Sequence, residues 1–278
     1  MQEFLFKPLV EAALREDLRS GDITTQALIP AEARATAFLR TREDGIWCGL
    51  GVARCAFALL DPTATFFPAQ NDGEMMRAGD TLLGISGDAR AVLSAERVAL
   101  NFAQRLSGIA TQTRAYVQAI EGTKARLADT RKTTPGLRLL EKNAVLCGGG
   151  FNHRFALDDM ILIKDNHIAL CGGIASAVER ARNSIGHAVK IEVECDSIAQ
   201  VLEAVEARAD IILLDNMPSE TLKQAVEIVD GRALCEASGG ITLQTIRAVA
   251  ESGVDLISVG ALTHGARAID LGLDIEVQ

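Results

Sequence analysis

The stretch "DTRKTTPG" at residues 129–136 sets Arg131 and Lys132 side by side, between an acid and a Pro-Gly turn. Further on, "GGGFNHR" delivers His153 and Arg154, and "LIKDNHI" delivers Lys164 with His167 close behind. An arginine fork grips a carboxylate through two parallel hydrogen bonds, and lysine adds a compact charge. Several cations in one place repel one another unless an anion joins them, so the expected ligand is polyanionic. Two later stretches change sign: "VKIEVE" ends in Glu194 and "DIILLD" in Asp215, carboxylates suited to Mg²⁺ or to ribose hydroxyls. "ASGGI" and "SVGAL" then supply Ser238, Gly239 and Gly260, small residues at turns that run into helices, where backbone N–H groups suit a phosphate. A sugar phosphate with Mg²⁺ beside a carboxylated co-substrate matches this order of cations, acids and phosphate cradle. His167 is expected to be structural, and Asp129 to hold Arg131 or cap a neighbouring loop. The zinc-protease, P-loop, dinucleotide-fold and nucleophile-elbow motifs are missing from the sequence.

These residues need a scaffold that gathers them on one face. From about residue 125 apolar strands with polar ends alternate with helices rich in Ala, Glu and Leu. The strand-end residues 194, 215, 238 and 260 stand 21, 23 and 22 positions apart, the length of one βα unit. Apolar strands without alternation suit a parallel sheet covered on both faces. A barrel is preferred to an open doubly wound sheet, because no switch point and no Gly-rich first turn are found. In a barrel the polar strand ends all fall at the C-terminal mouth.

Residues 1–93 mix a helix, "PLVEAALREDL", with strands such as "ARATAFLRTREDG" and "TLLGISGDARAV", an α+β pattern built on an antiparallel sheet. A long helical stretch follows, with Ser94 as the expected N-cap, Gly122 as the stop and Gly108 as a break between two helices. The final "LGLDIEV" places apolar residues at 271, 273, 275 and 277 and reads as an extra strand returning to the first domain's sheet. The expected division is 1–107, 108–270 and the strand 271–278.

The 278 residues carry a net charge of -9 and 4% aromatic side chains, which argues against a nucleic-acid partner. No window approaches the roughly 18 apolar residues of a membrane helix. The N-terminus has no basic-then-apolar export signal, and the six scattered cysteines read as buried hydrophobes of a reducing cytoplasm.

Taken together, "ERVALNFAQRLSGIAT", "DTRKTTPGLRLLEKNAV", "GGGFNHR", "LIKDNHI", "LLDNM", "EASGGI" and "SVGALT" resemble the quinolinate phosphoribosyltransferase family. The likeness runs nearly end to end, since "EDLRSGDITTQALIP" resembles the family's opening. It implies an N-terminal α/β sandwich domain followed by an incomplete parallel α/β barrel. It implies transfer of phosphoribosyl from phosphoribosyl pyrophosphate to quinolinate with loss of carbon dioxide, with Mg²⁺, in NAD biosynthesis. By matching motif positions, Arg131, Lys132, His153, Arg154 and Lys164 would surround quinolinate, with Arg105 reaching in from the second subunit of a homodimer or larger assembly. Glu194 and Asp215 would serve the ribose and metal region, Ser238, Gly239 and Gly260 would hold phosphate, and Lys132 would lie between the two substrates. Lys132, Lys164, Glu194 and Asp215 are the expected catalytic residues.

Asn143, Ala156 and Arg19 stand where the family commonly has an aromatic residue or glycine, which touches packing more than chemistry. Two alternatives remain at this point: a paralogue of molybdate-uptake systems with another substrate, and an inactive barrel that binds a dicarboxylate.

Overall fold

The structure is a computed structural model and describes residues 1–276. Its strands in chain order are β1 (Arg34–Thr41), β2 (Gly45–Ile46), β3 (Thr65–Pro68), β4 (Met75–Met76), β5 (Thr81–Asp88), β6 (Arg126–Ala128), β7 (Ile161–Ile163), β8 (Ile191–Cys195), β9 (Ile211–Asp215), β10 (Leu234–Ser238), β11 (Leu256–Ser258) and β12 (Leu271–Glu276). The chain divides into two compact units. One comprises Met1–Arg114, Thr133–Gly149 and the segment from Gly265 onward; the other comprises Ala115–Lys132 and Gly150–His264.

The first unit is built on an antiparallel sheet of order β12-β1-β5-β3, with β2 and β4 as a separate pair. In β1 the alternation buries Ala37, Leu39 and Thr41 on one face, the period-2 pattern of a half-covered strand. Trp47, Phe57, Leu82, Leu83 and Ile85 are fully buried, and the helices Lys7–Leu18 and Leu50–Leu60 pack against each other. β12 pairs with β1 from Thr36↔Glu276 to Thr41↔Leu271, the returning strand that the alternation anticipates. Val277, the last position of that alternation, and Gln278 lie outside the described residues.

The helical stretch after β5 differs from expectation. It is one helix of 31 residues, Ala89–Ala119, and it swallows the "ARAV" that reads as strand. Asp88 Oδ1, and not Ser94, accepts the first-turn N–H of Ala91 at 2.8 Å, while the Ser94 hydroxyl donates to Asp22 at 3.1 Å. Gly108 is no break: a Cβ there would overlap the carbonyl oxygen of Arg267, so the glycine admits a passing chain.

The second unit is a parallel six-stranded sheet of order β6-β11-β10-β9-β8-β7. The first strand sits beside the last, the cyclic order of a barrel left open between β6 and β7. β8 and β9 are buried on both faces, as a sheet with helices packed outside it requires. The turns differ in one respect from the sequence reading. The helix after β11 begins at once, at Ala261, but Ser238 is followed by a longer turn before the helix Ile246–Glu251.

Candidate active site

The polar residues at the ends of the parallel strands surround a cavity of about 590 Å³. Arg131, Lys132, His153 and Arg154 line it from the segments after β6, and Lys164 from the end of β7. Glu194, Asp215, Ser238 and Gly239 close it from β8, β9 and β10. Gly260 is not on the wall, although it stands at the neighbouring turn: the Thr263 hydroxyl donates to the Lys132 carbonyl at 2.7 Å and to the Gly260 carbonyl at 3.2 Å.

Within the cationic wall the two arginines are placed differently from Lys164, which pairs with Glu194. Arg154 is 9% exposed and spends one N–H on the Met160 carbonyl at 3.2 Å. The Nε groups of Arg131 and Arg154 are buried without a hydrogen-bond partner. Burial, and then the Arg131 charge, hold the Arg154 guanidinium below its ordinary value. Two like charges this close repel each other, and an anion in the cavity they both line would offset that repulsion. The loop that carries His153 is fixed by Asp129, which accepts the His153 backbone N–H at 2.8 Å and the Asn152 amide at 2.7 Å. His167 Nδ1 accepts the backbone N–H of Lys164 at 2.9 Å, a structural role that steadies the lysine.

On the opposite side, Lys164 Nζ donates to Glu194 Oε2, and the Asn216 amide donates to Asp215 Oδ2 at 2.6 Å. Each carboxylate keeps a second oxygen. Two hard oxygen donors of this kind fit Mg²⁺, which is usually held by one or two carboxylates together with substrate phosphates. Gly239 takes φ +94°, and a Cβ there would collide with the Asn216 side chain, so the turn after Ser238 is open to glycine alone. Two other groups bring three donor atoms within 4.8 Å of one another, His153–Glu192–Glu236 and Cys48–Asp72–Cys147. In the first, His153 Nε2 stands 3.1 Å from Glu192 Oε2 and 3.6 Å from Glu236 Oε1. In the second, Asp72 Oδ1 already accepts the N–H groups of Gly49 and Leu50 at 2.8 and 3.0 Å, at the start of the helix Leu50–Leu60.

Arg105 belongs to the first unit and is not on the cavity wall. Its guanidinium donates to Glu141 Oε1 at 2.8 Å and to the Ala266 carbonyl at 3.0 Å, and Glu141 is fully buried. Glu141 Oε2 accepts the Thr134 N–H at 3.0 Å, so one carboxylate ties Arg105 to the Thr-Thr-Pro-Gly turn. Sequence reasoning did not single out Glu141, Glu192 or Glu236. For the last two a signal was present: each stands two positions before a selected strand end, on the same face of its strand.

An open α/β barrel whose mouth pairs a guanidinium wall with an acidic wall and a glycine turn defines an enzyme of anionic, phosphorylated substrates. Residues 22–107 match the N-terminal domain, and residues 109–274 the C-terminal domain, of quinolinate phosphoribosyl transferase. A Mycobacterium leprae protein named nicotinate-nucleotide pyrophosphorylase (carboxylating) is 44% identical over 273 residues, which cover 96% of this chain and 95% of that one. The crystal structure of NadC from Streptococcus pyogenes superposes with a TM-score of 0.96 at 42% identity, covering 100% of this chain and 99% of the other. That of nicotinate-nucleotide pyrophosphorylase from Francisella tularensis gives 0.95 at 42% identity, covering 99% and 98%. The chain belongs to the quinolinate phosphoribosyl transferase family.

Proposed function

We propose that the protein transfers phosphoribosyl from phosphoribosyl pyrophosphate to quinolinate with decarboxylation, giving nicotinate mononucleotide, pyrophosphate and carbon dioxide for NAD biosynthesis. The observation that carries this reading is the pair of guanidiniums that line the cavity, Arg131 and Arg154, close enough for the charge of Arg131 to hold Arg154 below its ordinary value. Quinolinate brings two adjacent ring carboxylates, which suit two arginine forks with Lys164 and His153 beside them. Its ring nitrogen is the nucleophile, so no nucleophilic triad is needed. Attack on the anomeric carbon develops positive charge on the sugar, which the carboxylates of Glu194 and Asp215 stabilise. Ser238 and Gly239 would hold the 5′-phosphate with Gly260 nearby, and Lys132 would bridge the two substrates. Once nitrogen carries the ribosyl group, the cationic ring accepts the electron pair left by departing carbon dioxide. Most of the acceleration then comes from positioning and preorganised charge.

Glu194 and Asp215 would hold Mg²⁺, which when bound neutralises charge on the leaving pyrophosphate. The reading includes a homodimer in which Arg105 serves the cavity of the other subunit, supported by a buried Glu141 that aims its guanidinium. It also includes a cytoplasmic location, supported by six cysteines all in the free form. Among the described residues no helix is long and apolar enough to cross a membrane.

Purified protein supplied with quinolinate, phosphoribosyl pyrophosphate and Mg²⁺ should release carbon dioxide and form nicotinate mononucleotide. Turnover with nicotinate but none with quinolinate would sink the assignment. Mixing Arg105→Ala subunits with Lys164→Ala subunits should restore part of the activity if sites are shared between subunits. No recovery would remove Arg105 from the partner's site.

A further inference from the structure

Below the strand ends lies a second layer of side chains to which the proposed reaction assigns no role. Two positions back from Lys164, Glu194, Asp215, Ser238 and Gly260 stand Leu162, Glu192, Leu213, Glu236 and Ser258. Parallel pairing sets Glu192 level with Leu162, and Glu236 level with Leu213. Two carboxylates thus sit on an apolar floor, 0% and 1% exposed. Buried carboxylates persist only when paired, and both turn to the same partner. His153 Nε2 is 3.1 Å from Glu192 Oε2 and 3.6 Å from Glu236 Oε1.

The surroundings leave this imidazole little freedom. Its backbone N–H is held by the buried Asp129 at 2.8 Å, and its ring faces two glutamates, of which Glu236 also lines the cavity while Glu192 is fully buried. Glu192 Oε1 and Glu236 Oε1 have no hydrogen-bond partner, and the Ser258 hydroxyl bonds to the Glu236 carboxyl. Toward the Glu192 carboxylate, the nearer of the two at 3.1 Å, the ring nitrogen carries its hydrogen, because a bare nitrogen would oppose lone pair to lone pair. Orienting a functional imidazole through its other nitrogen is a general device.

We infer that Glu192 and Glu236 are positioning residues that act through His153, fixing its ring with Nε2–H donated to the barrel floor so that it meets the carboxylated substrate in one orientation. The inference rests on the proposed reaction, since it takes quinolinate as the ligand that His153 meets. Two acids serve better than one because they share the load unequally. Burial first, and then Glu192, push the Glu236 carboxyl up to about 7, against the pull of His153 and Ser258 and with Asp129 adding to the rise. Near neutral pH Glu236 therefore carries less than a full charge. Its repulsion of a dianionic substrate is reduced while the hydrogen bond to the ring remains.

The test is a kinetic cycle on the full-length protein with Glu236→Gln, His153→Asn and the double variant. Glu236→Gln should raise KM for quinolinate about tenfold, the lower end of what loss of an orienting partner costs, and leave KM for phosphoribosyl pyrophosphate within about twofold. Added to His153→Asn it should cost nothing further, since residues that act through one another are not additive. Equal rises for both substrates, or fully additive losses, would overturn the inference. If a variant fails to fold, the ¹⁵N imidazole spectrum of the wild-type protein decides. At neutral pH the His153 Nε2 should be a hydrogen-bonded N–H, and an unprotonated Nε2 overturns the inference. A wild type inactive on quinolinate would sink the proposed reaction instead, and the imidazole spectrum would still judge the geometry.

Discussion

Replacing Glu236 with Gln should change how stability depends on pH. Burial and the Glu192 carboxylate raise the Glu236 carboxyl from the ordinary 4.5 to about 7. Between those values the folded protein keeps a proton that the unfolded chain has lost, so unfolding becomes easier as pH rises. The stabilising contribution of the neutral carboxyl is complete below pH 4.5 and is gone once pH passes about 7. At about 1.4 kcal/mol for each pH unit, the loss over this window approaches about 3 kcal/mol. Gln does not titrate, and it keeps nearly the same shape. Urea unfolding of both proteins at several values from pH 4.5 to 8 isolates the residue, because other titrating groups are common to the two. Relative to pH 4.5, the variant should gain on the wild type by up to about 3 kcal/mol by neutral pH and then hold level. Parallel curves across the range would refute the raised carboxyl and the electrostatics assigned to the buried cluster.

Gly108→Ala should destabilise the first unit by at least about 1–3 kcal/mol, the usual cost of overpacking, read as a lower urea midpoint with an unchanged slope. Arg131→Ala should raise KM for quinolinate by about tenfold to a hundredfold, as loss of a charged hydrogen-bonding partner predicts. The same variant should bind phosphoribosyl pyrophosphate almost normally, and equal losses for both ligands would contradict the place given to Arg131. His167→Ala removes an acceptor for the Lys164 N–H and should cost about 1 kcal/mol. That loss should appear in thermal unfolding, with KM for quinolinate changed less than by Lys164→Ala.

The mouth of the barrel was legible because a polar residue at the end of an apolar run stands out. Lys164 after "MILI" and Asp215 after "DIILL" need no partner to be noticed. Glu192 and Glu236 were not, because a charge inside a five-residue strand reads as its solvent face. Their partner His153 becomes a neighbour only once the sheet has formed. Glu141 escaped for a similar reason: its helix pattern is ordinary, and Arg105 stands 36 positions away. The supposed break at Gly108 was a fair reading of local propensity. The true cause, the chain at Arg267, is a long-range contact that no local window contains. His167 and Asp129, expected to be supports, each accept a backbone N–H of a neighbouring residue, Lys164 and His153, as polar residues in short loops usually do.

The pairing of β12 with β1 has a consequence for how this chain is made. On its other side β1 has β5, which is made early, but Leu271 lies 230 positions beyond its partner Thr41. At about 5–20 residues per second, a ribosome needs on the order of 10–50 s to cross that gap. Throughout it β1 offers an open row of N–H and C=O groups, the kind of edge that pairs with other nascent chains. Arg40 and Arg42, charges on and beside that edge, discourage such pairing until Asp274 arrives to meet them. The first unit is thus started first and sealed only after the whole of the second has left the ribosome.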